Sequence, residues 1–534
     1  MYAANGVVAT SQPLAAAAGL AVLRRGGSAV DAAIATAITL TVVQPGSNDI
    51  GGDLFAIVWD GSRLHALNAS GRSPDALTLD TARAAATAPT AAHGGAYADA
   101  EHALPARGWL PVTVPGAPAG WRDLHERFGR LPFRALFEDA IGYAERGYPV
   151  SPSVARSWSR AAEVIGPELT GPEFAEWHRV FTLDGGRGPR PGEWWRNPDA
   201  ARTLRLIADT DAEAFYQGEI AAAIDEYARR TGGLITAEDL GKHESTWVDP
   251  IGVSYRGYQV WEIPPSGQGI AALIALNVLE GFDLAGASPA ERLHWQIESM
   301  KLGFADTHAY VADPEHVPVP VTALLDKGYA ARRRASITDR AGDPPPGEPL
   351  RGGTVYLCAA DADGMMVSLI QSNYMGFGSY VVVPGYGFNL QNRGAGFSLD
   401  PAHPNVAAPG KRPFHTIIPG FLTHGDQAVG PFGVMGGHMQ PQGHLQVVVS
   451  TVDDNLDPQA ALDAPRWYWH TGRDVAVEPT LPGALVDDLR SRGHEIRVVS
   501  EPSAFGYGQA IWRQPGGGYV AGSEPRADGY AYGY

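Results

Sequence analysis

Residues 343 to 349 read Asp343-Pro344-Pro345-Pro346-Gly347-Glu348-Pro349. Proline this dense lacks the N–H groups that a helix or a central strand needs, so the segment is expected to be an exposed, extended linker. It divides two textures. Upstream, small-residue helices alternate with glycine turns. Pro13 to Arg25 has helical apolar spacing and stops at Gly26-Gly27, and Ser28 is placed to cap a helix over Ala29–Val43. Leu54 to Trp59 reads as a short strand, with Asp60-Gly61 as a hairpin turn behind it. Residues 120 to 330 read as mostly helical, and the turn cluster Pro264 to Gly269 opens a helix running to Leu279. Downstream of Arg351-Gly352-Gly353 the pattern is β-like. Thr354 to Ala360 and Met365 to Gln371 are strands around an Asp361-Ala362-Asp363-Gly364 turn, and further strands are expected at Gly378 to Pro384 and at Leu445 to Thr451.

The 534 residues are 44% hydrophobic and 19% charged, enough to bury a large core and too apolar for global disorder. The single cysteine, Cys358, cannot form an internal disulfide and excludes thiolate-rich zinc or iron–sulfur sites. A net charge of −17 without a basic cluster argues against nucleic acid as a partner. The longest apolar run, Ala32 to Val43, is well short of the roughly 20 residues of a membrane span and reads as a buried helix. The N-terminus has no basic region followed by an apolar stretch, so the expected location is the cytoplasm.

Portable motifs are scarce. No G-x-S-x-G or H-E-x-x-H occurs, and Gly410-Lys411 is followed by Arg412 where a phosphate loop needs Ser or Thr. His415, His438 and His444 fall close together, but no carboxylate or thiolate stands near them in sequence. They read as loop or site-wall histidines, with no metal. Gly353-Thr354 places a hydroxyl where the linker meets an apolar strand. If that bond were cut, Thr354 would carry a nucleophile beside its own α-amine, whose ordinary pKa of roughly 8 suits a base. Read alone, a threonine that opens a strand is simply a strand residue, and spacing permits the nucleophile reading without establishing it.

Several stretches resemble the γ-glutamyltransferase family. They are Leu23-Arg24-Arg25-Gly26-Gly27-Ser28-Ala29-Val30-Asp31-Ala32-Ala33, Gly51-Gly52, Thr354 to Asp361, Phe377-Gly378-Ser379, Gly410-Lys411-Arg412-Pro413, Met435-Gly436-Gly437 and Asp463-Ala464-Pro465-Arg466-Trp467, all in family order. The resemblance implies an α/β (α+β) N-terminal nucleophile hydrolase, a four-layer αββα sandwich made as one precursor. It would be cut autocatalytically between Gly353 and Thr354 into a large subunit, 1–353, and a small subunit, 354–534. These would remain together as a heterodimer, with a dimer of heterodimers as a further option. The resemblance also implies that Thr354 is the nucleophile, that Gly436 and Gly437 form the oxyanion hole and that Ser372 supports the nucleophile. With nucleophile and base on one residue, no cofactor is required.

The substrate pocket departs from the glutathione-processing pattern. Gly396 stands where the family holds the glutamyl ammonium with an acid, His415-Thr416 replace two serines, and Tyr374 replaces an asparagine. An unpaired buried ammonium is costly, so γ-glutamyl recognition is disfavoured. Arg393 aligns into the pocket and suits a carboxylate, while Arg72 lies near the family's carboxylate-binding arginine with a shift of about two positions. Gln391-Asn392-Arg393-Gly394, Pro413-Phe414-His415-Thr416 and Met439-Gln440-Pro441-Gln442 resemble a bacterial branch that includes oxamate amidohydrolases and carbon–carbon hydrolases releasing oxalyl-type fragments. The leading expectation is hydrolysis of a small carboxylate-bearing acyl compound, oxamate-like or oxalyl-like. The alternatives are a true γ-glutamyl hydrolase or transferase, a carbon–carbon hydrolase of secondary metabolism, and an unprocessed scaffold.

Overall fold

The computed structural model describes residues 1–86, 104–343 and 353–534, with side chains from 355 onward in the last stretch. The proline-rich linker expected before Gly353 falls largely on 344–352, outside the described residues.

Fourteen strands make two seven-stranded sheets. In chain order they are β1 (Tyr2–Ala3), β2 (Val7–Thr10), β3 (Asp53–Trp59), β4 (Leu64–Asn68), β5 (Thr246–Val248), β6 (Ile251–Tyr255), β7 (Tyr258–Glu262), β8 (Gly353–Ala360), β9 (Met366–Tyr374), β10 (Gly420–His424), β11 (Gln427–Met435), β12 (Tyr507–Arg513), β13 (Tyr519–Ser523) and β14 (Tyr530–Gly533). One sheet runs β1-β13-β12-β11-β10-β7-β6 and the other β14-β2-β8-β9-β3-β4-β5, antiparallel throughout. Each sheet takes strands from both sides of residue 353, so the two lengths of chain share one core.

The strand period of two sorts side chains between layers. Tyr356, Cys358 and Ala360 of β8, with Phe55, Ile57 and Trp59 of β3, pack between the sheets against Phe421 and Ile511. Their neighbours Val355, Leu357, Ala359, Leu54, Ala56 and Val58 face outward into a helical cluster. That cluster is built on α1 (Pro13–Arg24) and α2 (Ala29–Val43). The opposite sheet turns Phe432, Val434, Ala510 and Trp512 toward α3 (Gly269–Leu279), α4 (Pro289–Tyr310) and α5 (Met439–Val452). The result is helix, sheet, sheet, helix: the expected four layers.

Local chemistry sets the helix ends. Ser28 and Asp31 close a reciprocal capping box on α2, and α1 stops before Gly26, whose φ is 89°. Every residue of α2 is buried, which explains an apolar run without a polar face. Gly19 lets α1 come close to it, since a Cβ there would stand 2.2 Å from Thr36 Oγ1.

Two sequence expectations need correction. Leu445 to Thr451 lies inside α5, where Leu445, Val447, Val448 and Val449 are all buried against β11 and α3. The β-branched run reflects burial there and not a strand. Gly378 to Pro384 is a loop touching a strand pattern only at the isolated Val382–Asn389 bridge. The stretch from 120 to 330 is mostly helical, as read, and also supplies β5, β6 and β7.

Candidate active site

The start of β8 lies beside the end of β9: Gly353 pairs with Tyr374 and Val355 with Gln371, and the register slips between them. Thr354 stands opposite that bulge, whose extra residue lies on β9, where Ser372 and Asn373 together face it, a feature common where a strand re-aims a side chain. The Thr354 side chain itself lies outside the described residues. Across β9, Ser372 pairs with Asp53 of β3. Tyr374 has φ of 80°, an uncommon value for a bulky residue, and its N–H donates to Ser372 Oγ at 2.8 Å.

Arg393 opens a short turn, Arg393–Gly396, and is fully buried. Its Nη1 donates to Thr416 Oγ1 at 2.7 Å and its Nη2 to Ser372 Oγ at 3.3 Å, and the guanidinium carbon lies 4.2 Å from the centre of the Tyr374 ring. Nε is buried without a partner. Burial lowers the guanidinium to about 10, so it remains charged at neutral pH. Among the described residues no carboxylate forms an ion pair with it. Space lies open beside Gly396, where a Cβ would meet only the Phe414 carbonyl at 3.4 Å and Tyr374 Oη at 4.0 Å.

The nearest acid is committed elsewhere. Asp53 Oδ1 accepts from the Gly71 N–H at 3.0 Å, the Gly116 N–H at 3.2 Å and Gln391 Nε2 at 2.9 Å, and Oδ2 takes His415 Nε2 at 3.0 Å. Burial, then the charge of Arg393, lowers His415 to about 4, so the ring is neutral. The Ile417 N–H donates to its Nδ1 at 3.3 Å, which puts the proton on Nε2, facing Asp53.

Gln268, in the turn before α3, joins the two walls. Its Nε2 donates to the Thr416 carbonyl at 2.6 Å and the Gly437 carbonyl at 2.8 Å. Gly436 and Gly437 have φ of 135° and 62°, and their carbonyls accept from the Met439 and Gln440 N–H groups at 3.1 Å. Because a trans peptide sets its N–H opposite its C=O, the Gly437 N–H points away from α5. A cavity of about 380 Å³ opens against Gly436, with Tyr468, His470, Arg160 and Arg497 on its walls.

Thus Ser372, Tyr374, Arg393 and Thr416 come together, with His415 behind them. Arg72 does not join them. Its guanidinium pairs with Glu315, which Arg412 also holds, and Arg393, His415 and Thr416 are not among its contacts. Of the clustered histidines, His444 lies on α5 and pairs with Glu262 at 2.6 Å in the core, so the three do not converge as ligands. Sequence reasoning missed Asp53, although it directly follows Gly51-Gly52, and missed Gln268 and Gln391 as the tethers of the site.

The model of the gamma-glutamyltranspeptidase family matches residues 15–534. The chain belongs to that family. It is 35% identical over 547 residues to an oxamate amidohydrolase proenzyme of Klebsiella pneumoniae, covering 99% of this chain and 98% of that one. A glutathione hydrolase-like proenzyme of Bacillus subtilis is 34% identical over 540 residues, again across 99% and 98% of the two chains. A cephalosporin acylase of Bacillus halodurans, solved as a crystal structure, superposes with a TM-score of 0.94 at 51% identity, covering 100% of this chain and 96% of the other. The chain is therefore an enzyme of the N-terminal nucleophile hydrolase type, in a family of acylases and amidohydrolases. Among the described residues no helix is long and apolar enough to cross a membrane.

Proposed function

We propose that this protein is a self-processing threonine hydrolase that cleaves the amide, or a related bond, of a small acyl compound carrying a carboxylate, oxamate-like or oxalyl-like. The observation that carries the reading is Arg393: a charged guanidinium, fully buried, with hydroxyls and an aromatic face for partners and, among the described residues, no carboxylate in an ion pair with it. A buried charge without a counter-ion is unfavourable, and a substrate carboxylate supplies one. Among the described residues the same cluster has no free carboxylate for an ammonium group. Gly396 carries no side chain, and the carboxylate of Asp53 is bonded to four donors.

In maturation the Thr354 hydroxyl attacks the Gly353 carbonyl, and hydrolysis of the ester leaves 1–353 and 354–534 as a heterodimer on shared sheets. In turnover Thr354 Oγ attacks the acyl carbonyl while its α-amine takes the hydroxyl proton. Gly436 and Gly437 N–H groups stabilise the oxyanion, their glycine backbone allowing close approach. The leaving amine departs with the proton, and water, deprotonated by the same α-amine, hydrolyses the ester. Arg393, supported by Thr416 and Tyr374, holds the substrate carboxylate. Ser372, bonded to both Arg393 and the Tyr374 N–H, steadies the nucleophile end of β9. His415 acts as a neutral wall fixed by Asp53, and Arg72 supports the pocket rim through Glu315.

The test is ammonia release from oxamate compared with anilide release from a γ-glutamyl anilide, on protein whose processing has been followed by intact mass. Activity on oxamate with little on the anilide is expected. The reverse order would replace this reading with γ-glutamyl transfer, and a single unprocessed chain would remove the nucleophile assignment.

A further inference from the structure

A buried group of ligand-type side chains lies outside the candidate active site. His294 and Glu298 stand four residues apart on α4 and project from one face, and His494 reaches them from the turn after the helix Gly483–Ser491. One ligand atom from each of the three lies within 4.8 Å of the other two. All three side chains are buried, and among the described residues no other such group of three occurs.

Hydrogen bonding defines what each atom offers. The Thr338 carbonyl can only accept, so His294 Nε2, 2.8 Å from it, carries the proton and Nδ1 holds a lone pair. That lone pair faces His494 Nε2 at 2.8 Å. His494 Nδ1 is buried without a partner. Glu298 Oε2 accepts the Gly342 N–H at 3.0 Å, while Oε1 lies 3.9 Å from His494 Nε2. An imidazole held through its distal N–H by a backbone carbonyl is oriented as metal-binding imidazoles are. Lys301 is the competitor, with Nζ 2.8 Å from Glu298 Oε1. It also donates to the Gly342 carbonyl at 2.8 Å, so it keeps a partner if a cation takes the carboxylate.

We propose that His294, Glu298 and His494 form a transition-metal site that fastens residues 338–342 to the body of the protein. Two imidazoles and one carboxylate suit zinc or a similar borderline divalent ion, with a fourth position for water, whereas calcium and magnesium prefer more oxygen ligands. Nitrogens bound at roughly 2.0–2.1 Å around a tetrahedral ion stand about 3.3 Å apart, so the two rings part by about half an ångström on loading. The ion would join α4, which precedes residue 353 in the chain, to a turn that follows it. The same turn already holds the 338–342 segment, since the Ala341 N–H donates to the Arg492 carbonyl at 2.8 Å. None of this depends on the catalytic reading.

The experiment uses tag-free full-length protein, stripped with chelator and dialysed, then titrated with zinc by calorimetry and with cobalt(II) by visible absorption. One equivalent of zinc with a dissociation constant in the micromolar range or tighter is expected, together with cobalt bands of a low-coordinate site and no binding of magnesium. His494→Gln and the near-isosteric Glu298→Gln, each checked for a native circular dichroism spectrum, should weaken zinc at least tenfold. Lys301→Met keeps all three ligands and should tighten it. Absence of stoichiometric zinc in the wild type, affinity unchanged in the two ligand variants, or no tightening in Lys301→Met would each overturn the proposal.

Discussion

Replacing Arg393 with methionine separates a guanidinium that waits for a substrate carboxylate from one that only fills space. The side chain is fully buried and donates to Thr416 Oγ1 and Ser372 Oγ. Methionine has a comparable length, removes an uncompensated charge and deprives two hydroxyls of a donor. Hydrogen bonds to charged groups contribute about 1.5–3 kcal/mol each, and the relieved burial of the charge opposes their loss, so the net change in stability should stay within about 2 kcal/mol. The substrate is affected far more. Breaking one side of a buried charge pair costs about 3–5 kcal/mol, which at about 1.36 kcal/mol per tenfold is roughly a 10²- to 10⁴-fold loss of kcat/KM on oxamate. The carboxylate does not react and is held alike before and during acyl transfer, so the loss should fall on KM, with a smaller effect on kcat through Ser372. Oxamide, with an amide in place of the carboxylate, is the control, and its kcat/KM should differ between wild type and variant by no more than about threefold. Steady-state ammonia release on both compounds, with a urea melt of each protein, completes the set. A loss of less than tenfold on oxamate would refute the pairing. An equal loss on oxamide would make Arg393 a support for Ser372 and not a reader of substrate.

Thr354→Ala should stay a single chain of 56.6 kDa on a denaturing gel and by intact mass, while the wild type divides between Gly353 and Thr354; cleavage of the variant would move the nucleophile elsewhere. Asp53→Asn should cost about 3–5 kcal/mol in chemical denaturation, because an amide cannot face four donors as a carboxylate does, and a change below about 1 kcal/mol would show that those bonds matter little. Stability should also fall as pH drops from about 6 to 5. Burial lowers His308 to about 3, His415 to about 4 and His438 well below its ordinary value, so between those values and about 6.5 the unfolded chain binds three more protons than the folded one through these groups. Asp49, raised by burial to about 7, acts oppositely by holding one proton in the folded state. The lowered histidines outweigh the raised carboxylate, so stability falls as pH falls across this window, and His308→Phe should reduce the slope by one proton, about 1.36 kcal/mol per pH unit. Urea melts at pH 6 and pH 5 read it, and a flat profile counts against burial of these rings in neutral form.

Elements whose ends carry their own chemistry could be read from the chain. Ser28 with Asp31 marks the start of α2, Gly26-Gly27 ends α1, and the Asp361–Gly364 turn announces the β8–β9 pair. Where burial sets the residue types, composition misleads. Val447-Val448-Val449 is β-branched because α5 is enclosed, and the β6–β7 hairpin was missed because its turn is Arg256-Gly257, without the Asn-Gly or Asp-Gly signal. The site divides the same way. Ser372, Arg393 and Thr416 could be named from family order, but Asp53 could not be assigned a task, since its partners Gly71, Gly116, Gln391 and His415 are brought to it only by folding. Arg72 and Arg393 make the point sharpest. Both are guanidinium candidates for the same carboxylate, Arg393 aligned into the pocket and Arg72 shifted by about two positions from the family's arginine. The fold pairs Arg72 with Glu315 and, among the described residues, gives Arg393 no carboxylate at ion-pair distance, and it buries that second one. A guanidinium already neutralised at the rim adds little to anion affinity, whereas an unneutralised one in the interior gains most from an arriving carboxylate. On the proposed reading, substrate charge preference is a property of pairing, decided by which arginine has no carboxylate in an ion pair with it among the described residues.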